Sequence, residues 1–106
     1  MNIKRKVIPM EIEGKEYEMI LDFGSAMEFQ DLYGKAIFVG LDKIGKEQDL
    51  KALACLIASC LKYNGKSVGL EFVAELDLMN GLSVFMEKIG ELMDNSLPTE
   101  TNPKKK

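Results

Sequence analysis

Apolar and polar residues alternate one for one near the start of the chain. Ile8, Met10 and Ile12 are separated by Pro9 and Glu11, and Tyr17, Met19 and Leu21 by Glu18 and, less cleanly, Ile20. A period of two is that of a half-buried strand, so residues 6–13 and 16–22 are predicted strands. Gly14-Lys15 between them reads as a two-residue hairpin turn, with glycine at the first central position of a type II′ turn, where φ is positive. Pro9 has no N–H to give to a ladder, which puts its strand at a sheet edge. A lone hairpin is marginal in water, so its apolar face must rest on helices.

From residue 25 onward the period becomes helical. Ser25-Ala-Met-Glu28 has the form of a capping box, and Met27, Phe29, Leu32 and Tyr33 follow as a short helix closed by Gly34. Residues 36–44 stay open between helix and strand. Ile37, Leu41 and Ile44 fit a helix, whereas Gly40 and the β-branched content argue for a strand. Residues 48–63 carry apolar side chains at Leu50, Leu53, Ala54, Ile57, Cys60 and Leu61, and Ala52, Leu56 and Ala58 extend them nearly all round. A helix of this kind belongs at the centre of a bundle, here ended by Asn64-Gly65. Ser67 is placed to cap a short helix to about Leu76, with Leu70, Val73 and Ala74 inward. Asp77 is placed to cap a last helix over 78–94. In that helix Leu78, Leu82, Phe85, Ile89 and Leu92 form one row, and Met79, Met86 and Met93 a second row at seven-residue spacing.

The predicted fold is α+β and mostly helical: an N-terminal hairpin packed on four or five helices, in one domain over residues 1–95. The Pro, Thr, Asn and Lys content of residues 96–106 predicts a disordered basic tail. At 106 residues, 46% hydrophobic and 29% charged, the chain has the composition of a globular domain. No apolar run approaches the ~18 residues that a membrane span needs. The basic opening turns acidic too soon for a secretory leader, so a cytoplasmic protein is expected. The formal charge of −3 is unevenly spread. Lys4, Arg5, Lys6 and Lys104, Lys105, Lys106 are six of the fourteen basic residues, which leaves eight against seventeen acidic ones and a charge of −9 over residues 7–103. Such a body repels phosphate backbones, which disfavours nucleic acid and suits a basic partner.

Candidate chemistry is sparse. There is no histidine, hence neither the commonest general base nor the commonest metal ligand. Cys55 and Cys60 lie about 500° apart on their helix, so neither a disulfide nor a metal pair is favoured, and both read as buried, inert thiols. No GxSxG, GxGxxG or complete phosphate loop is present; Gly65-Lys66-Ser67 resembles the end of one, but Cys60 stands where its first glycine would be. The helix pair within 48–76 offers Glu71 and Glu75 where a DNA-reading helix needs basic side chains. No enzyme activity, cofactor or metal is expected. The seven methionines stand out: the row Met79, Met86 and Met93 either fills an irregular core or forms an adaptable surface for a partner or a second copy.

An N-terminal hairpin leads into Leu21-Asp-Phe-Gly-Ser-Ala-Met-Glu-Phe-Gln-Asp-Leu-Tyr-Gly34, then the apolar helix Leu50 to Leu61, the short segment Glu71-Phe-Val-Ala-Glu-Leu76 and a final amphipathic helix. Over roughly residues 7–95 this order resembles the tail assembly chaperones of long-tailed bacteriophages and prophage-like elements. The resemblance implies a non-enzymatic protein of the bacterial host cytoplasm. Such a protein coats the tape-measure protein, brings tail-tube protein subunits to it and is absent from the mature virion. It also gives the lysine-rich end of the chain two readings, a site of ribosomal frameshifting into a longer form or a plain solubilising tail. It carries over no site residues, and Met79, Met86 and Met93 are the candidate partner-binding residues. The other function considered is a small cytosolic regulatory or adaptor protein that sequesters one protein partner.

Overall fold

The computed structural model describes residues 7–96 and has an α+β, mostly helical fold. Strands β1 (Val7–Ile12) and β2 (Lys15–Ile20) are followed by helices α1 (Phe23–Tyr33), α2 (Ile37–Glu47) and α3 (Leu50–Cys60). A second hairpin follows, β3 (Leu61–Tyr63) and β4 (Lys66–Ser67), and then α4 (Gly69–Ala74) and α5 (Leu78–Ser96). The four strands form one antiparallel sheet in the order β1-β2-β3-β4. The expected tail beyond Ser96 lies outside the described residues.

The alternation holds until the end of β2, where Ile20 is buried beside Met19 and the strand stops before Leu21. Ile8, Met10, Tyr17 and Met19 are buried while Pro9, Glu11, Glu16 and Glu18 are exposed, and β1, with Pro9, is an edge strand. The turn differs from the expected one by a residue. Ile12 pairs with Lys15, so Glu13 and Gly14 occupy the turn, with φ of 52° and 82°. Positive φ at both central positions is the type I′ pattern, which matches the twist of the strands it joins. Asn64 and Gly65 repeat it at φ 53° and 83°, and there they close a hairpin instead of ending a helix. The long central helix therefore stops at Cys60, because Met19 of β2 pairs with Leu61 and draws the next three residues into the sheet.

Ser25 departs from its expected role. The cap of α1 is Asp22, whose side chain accepts from the Ser25 N–H at 2.9 Å. The Ser25 hydroxyl is fully buried and donates to the Ile20 carbonyl at 2.7 Å, tying α1 to the end of β2. Gly34 closes α1 at φ 85°, as its position predicts. Residues 37–47 resolve as a helix. Its Gly40 lies against the Phe29 ring, where a Cβ would collide with a side chain that is itself completely buried. Glycine here is the condition for α1 and α2 to approach, which outweighs its poor helix propensity.

Helix α3 is the centre of the molecule. It packs against α1, α2, α4 and the strands β2, β3 and β4, and every residue from Cys55 to Cys60 is buried. Asp49 caps it, accepting from the Ala52 N–H at 3.1 Å, and Tyr33 donates to the same carboxylate at 2.8 Å, which joins α1 to the start of α3. At the other end Lys62 donates to the Ser59 carbonyl at 2.8 Å, a cation placed on the negative end of the helix. Ser67 does not cap α4, since it belongs to β4 and the residue before α4 is Val68. Val73 of α4 is buried and Leu70 half-buried, but Ala74, expected inward, is exposed.

Candidate partner-binding groove

Asp77 opens α5 as its position predicts, accepting from the N–H groups of Met79 at 3.0 Å and Asn80 at 3.4 Å. The row expected to dock this helix divides into two parts. Phe85, Ile89 and Leu92 are buried, and the helix packs on β1 and β2. Leu78 and Leu82, one to two turns earlier, are 53% and 39% exposed. The first turns of α5 thus stand off from the body and leave an open groove of about 180 Å³.

One wall of the groove is α3, through Leu50, Leu53, Ala54 and Ile57. The opposite wall is α5, through Leu78, Gly81, Leu82 and Phe85. Val73, Ala74, Leu76 and Asp77 close it on the α4 side. Apart from Asp77 the lining is apolar, and Leu50 is 54% exposed at its edge. The exposed leucines on both walls join the apolar lining into one contiguous surface, which makes this groove the candidate binding site.

The candidate residues Met79, Met86 and Met93 do not line this groove. Met79, at 80% exposure, and Met86, at 41%, lie on the flank of α5 beside it, whereas Met93 is half-buried against the core. The three therefore do not form one continuous exposed stripe. Periodicity placed Leu50, Leu78 and Leu82 in the core. No local signal separates them from Phe85 or Ile89, because all share the apolar face of a helix.

A second depression, of about 380 Å³, is lined by Tyr17, Tyr63, Val68 and Phe72 with Lys66 and Ser67. The Tyr17 ring packs on Tyr63 and Phe72 with centroids 4.9 and 5.5 Å apart, so these aromatics mainly hold β2, β3 and α4 together. Next to it lies a polar tie across three elements. Lys62 donates to the Ser67 hydroxyl at 2.7 Å, and that hydroxyl donates to the Glu28 carboxylate at 2.6 Å, with Lys62 and Glu28 3.9 Å apart. Glu28, expected to reach back to its own helix start, is used here to fasten α1 to the second hairpin.

Both cysteines are free and buried. Burial raises both thiols, and Cys60 is pushed up to about 12, so the reactive thiolate is suppressed. Among the described residues no cluster of three or more His, Cys, Asp or Glu side chains could hold a metal ion, and no helix is long and apolar enough to cross a membrane. No protein family, curated protein or solved structure matches the chain.

Proposed function

We propose that the protein is a non-enzymatic binding protein, and specifically a tail assembly chaperone of a long-tailed bacteriophage or prophage-like element. In this role it works in the bacterial cytoplasm. It binds the tape-measure protein, shields that protein's apolar helical faces and helps recruit tail-tube subunits. The supporting observation is the open apolar groove between α3 and α5, with Leu50, Leu78 and Leu82 exposed at its edges. Many weak sites of this kind along a long repetitive chain would hold by avidity, which suits a coat that must later be shed. The resemblance of the sequence in element order, from the first hairpin to the last helix, is the reason for choosing the tape-measure protein as the partner.

The direct test is co-expression with the tape-measure protein that this function expects to be encoded beside it. The expected result is that the tape-measure protein stays in the soluble fraction only when this chain is present, and that the two elute together on gel filtration. A tape-measure protein that precipitates equally with and without the chain would remove this function.

A further inference from the structure

The groove between α3 and α5 has a charged side. Glu71, Ala74 and Glu75 are spaced i, i+3, i+4 and share one face of the α4 segment, and Ala74 of that face lines the groove together with Asp77. Glu71, Glu75 and Asp77 are all exposed. The basic residues on the same elements are Lys51, beside Leu50, and Lys88, one turn beyond Phe85. Asp77 lines the groove on the α4 side, and Glu71 and Glu75 share the face of Ala74 beside it, so the charges on that side are acidic. We infer that this groove takes the apolar face of an amphipathic helix whose flank carries lysine or arginine. The inference rests on the chaperone reading for its biological setting, and it adds the surface used and the chemistry of the segment bound.

The dimensions fit one principal anchor. An apolar cavity of about 150 Å³ is enough to hold a benzene molecule, so a groove of this size accepts one large aliphatic or aromatic side chain. The apolar residues one turn to either side of that anchor would rest on Leu50 across the groove and on Leu78 and Leu82 along α5. A helix laid this way presents anchors at i, i+3, i+4 and i+7. Residues on the edge of that face then meet Glu71, Glu75 and Asp77. There a basic side chain gains charge-assisted contacts, and an acidic one is repelled. The exposed Met79 and Met86 lie outside the contact.

The probe is a fluorescein-labelled designed peptide of about 20 residues, long enough to form several helical turns when bound. It carries leucines at i, i+3, i+4 and i+7 on an alanine background, with lysines flanking them. The controls are the same peptide with glutamate for lysine, and a scrambled peptide of identical composition with no apolar face. Fluorescence anisotropy with the full chain at low salt is expected to show saturable one-to-one binding of the lysine peptide. Both controls should bind at least about tenfold more weakly, a difference of about 1.4 kcal/mol. L50Q/L82Q, which alters exposed positions only, should lose about tenfold or more in affinity, as loss of central apolar contacts does. M79Q/M86Q should bind like the parent chain. E71K/E75K should reverse the preference between the lysine and glutamate peptides, and it leaves the apolar lining untouched should L50Q/L82Q prove unfolded by circular dichroism. Equal binding of the glutamate or scrambled peptide overturns the inference, as does lysine-peptide binding that neither groove variant changes. The two levels separate cleanly. If L50Q/L82Q still keeps the tape-measure protein soluble, the groove is not the site and the chaperone function stands. If the parent chain holds the lysine peptide in the groove but does not protect the tape-measure protein, the groove assignment stands and the chaperone function falls.

Discussion

Helices α3 and α5 are both written with apolar residues at helical spacing, yet they end in opposite surroundings. Helix α3 has neighbours on nearly every side and buries all of its second half, including two cysteines and the hydroxyl of Ser59. That hydroxyl has nowhere to go but back to its own helix, and it donates to the Cys55 carbonyl at 2.9 Å and the Leu56 carbonyl at 3.1 Å. Among the described residues helix α5 packs chiefly on the β1–β2 hairpin, and Phe85, Ile89 and Leu92 are its buried side chains. Its first two turns keep the same kind of leucine in water. The difference shows that an apolar stripe reports where burial is possible, not whether the chain itself supplies the cover.

The largest expected effect belongs to α3. Leu56→Ala removes a side chain that is 2% exposed at the meeting point of several elements, and it should cost roughly 2–5 kcal/mol, a large part of a small domain's stability. Urea unfolding measures it. A loss below about 0.5 kcal/mol, the size of an ordinary surface change, would mean that α3 is not the core.

Next comes the contrast within α5 itself. Met93→Gln places a polar amide against the core and should cost about 1–3 kcal/mol. Met79→Gln and Met86→Gln, at exposed positions, should each stay within about 0.5 kcal/mol. Thermal melts of the three single variants separate these outcomes. Equal losses at all three would show the methionine row to be one buried seam.

The smallest effect concerns the tie between α1 and the start of α3. The hydrogen bond from Tyr33 and the backbone N–H of Ala52 hold the Asp49 carboxyl below its ordinary value, and the same bond with Asp49 raises Tyr33. A depressed carboxyl stabilises the fold above its unfolded value of about 3.9, and that contribution fades as pH falls through the lower folded value. Tyr33→Phe should therefore lower stability slightly at pH 7 and flatten the acid side of the stability profile below about pH 4. A profile parallel to that of the parent chain would show that the tie does not hold in solution. Above the ordinary tyrosine range the sign inverts, since the raised Tyr33 contribution is lost as pH climbs through its folded value.

Much of the architecture was readable along the chain, for reasons particular to each element. Ile8, Met10, Tyr17 and Met19 alternate with exposed partners, and only a strand does that. Gly34 sits where α1 needs a positive φ, and Asp77 where α5 needs an acceptor. The second hairpin also carried its signal, because Asn64-Gly65 is the commonest type I′ pair. The apolar run before it masks that signal: Leu61 continues the period of α3, and only its pairing with Met19 pulls it out of the helix. Residues 36–44 could not be settled locally, since the virtue of Gly40 lies on another helix, in the ring of Phe29.

The groove was the least legible feature, and its residues show why. Leu50 and Leu53 sit three apart in one helix, as do Leu82 and Phe85 in another, and periodicity treats each pair alike. The sequence by itself determined the class of fold, the central helix and the first hairpin, since each follows from spacing and residue type. The tertiary structure alone decided that Leu53 and Phe85 are covered while Leu50 and Leu82 are not. It also set Ser25 to bracing β2 instead of capping a helix, and Glu28 to meeting Ser67 thirty-nine residues away. The physical reason is the same in each case. Spacing fixes which side chains share a face, but burial depends on how closely a second element approaches, and that distance is set by contacts remote in sequence.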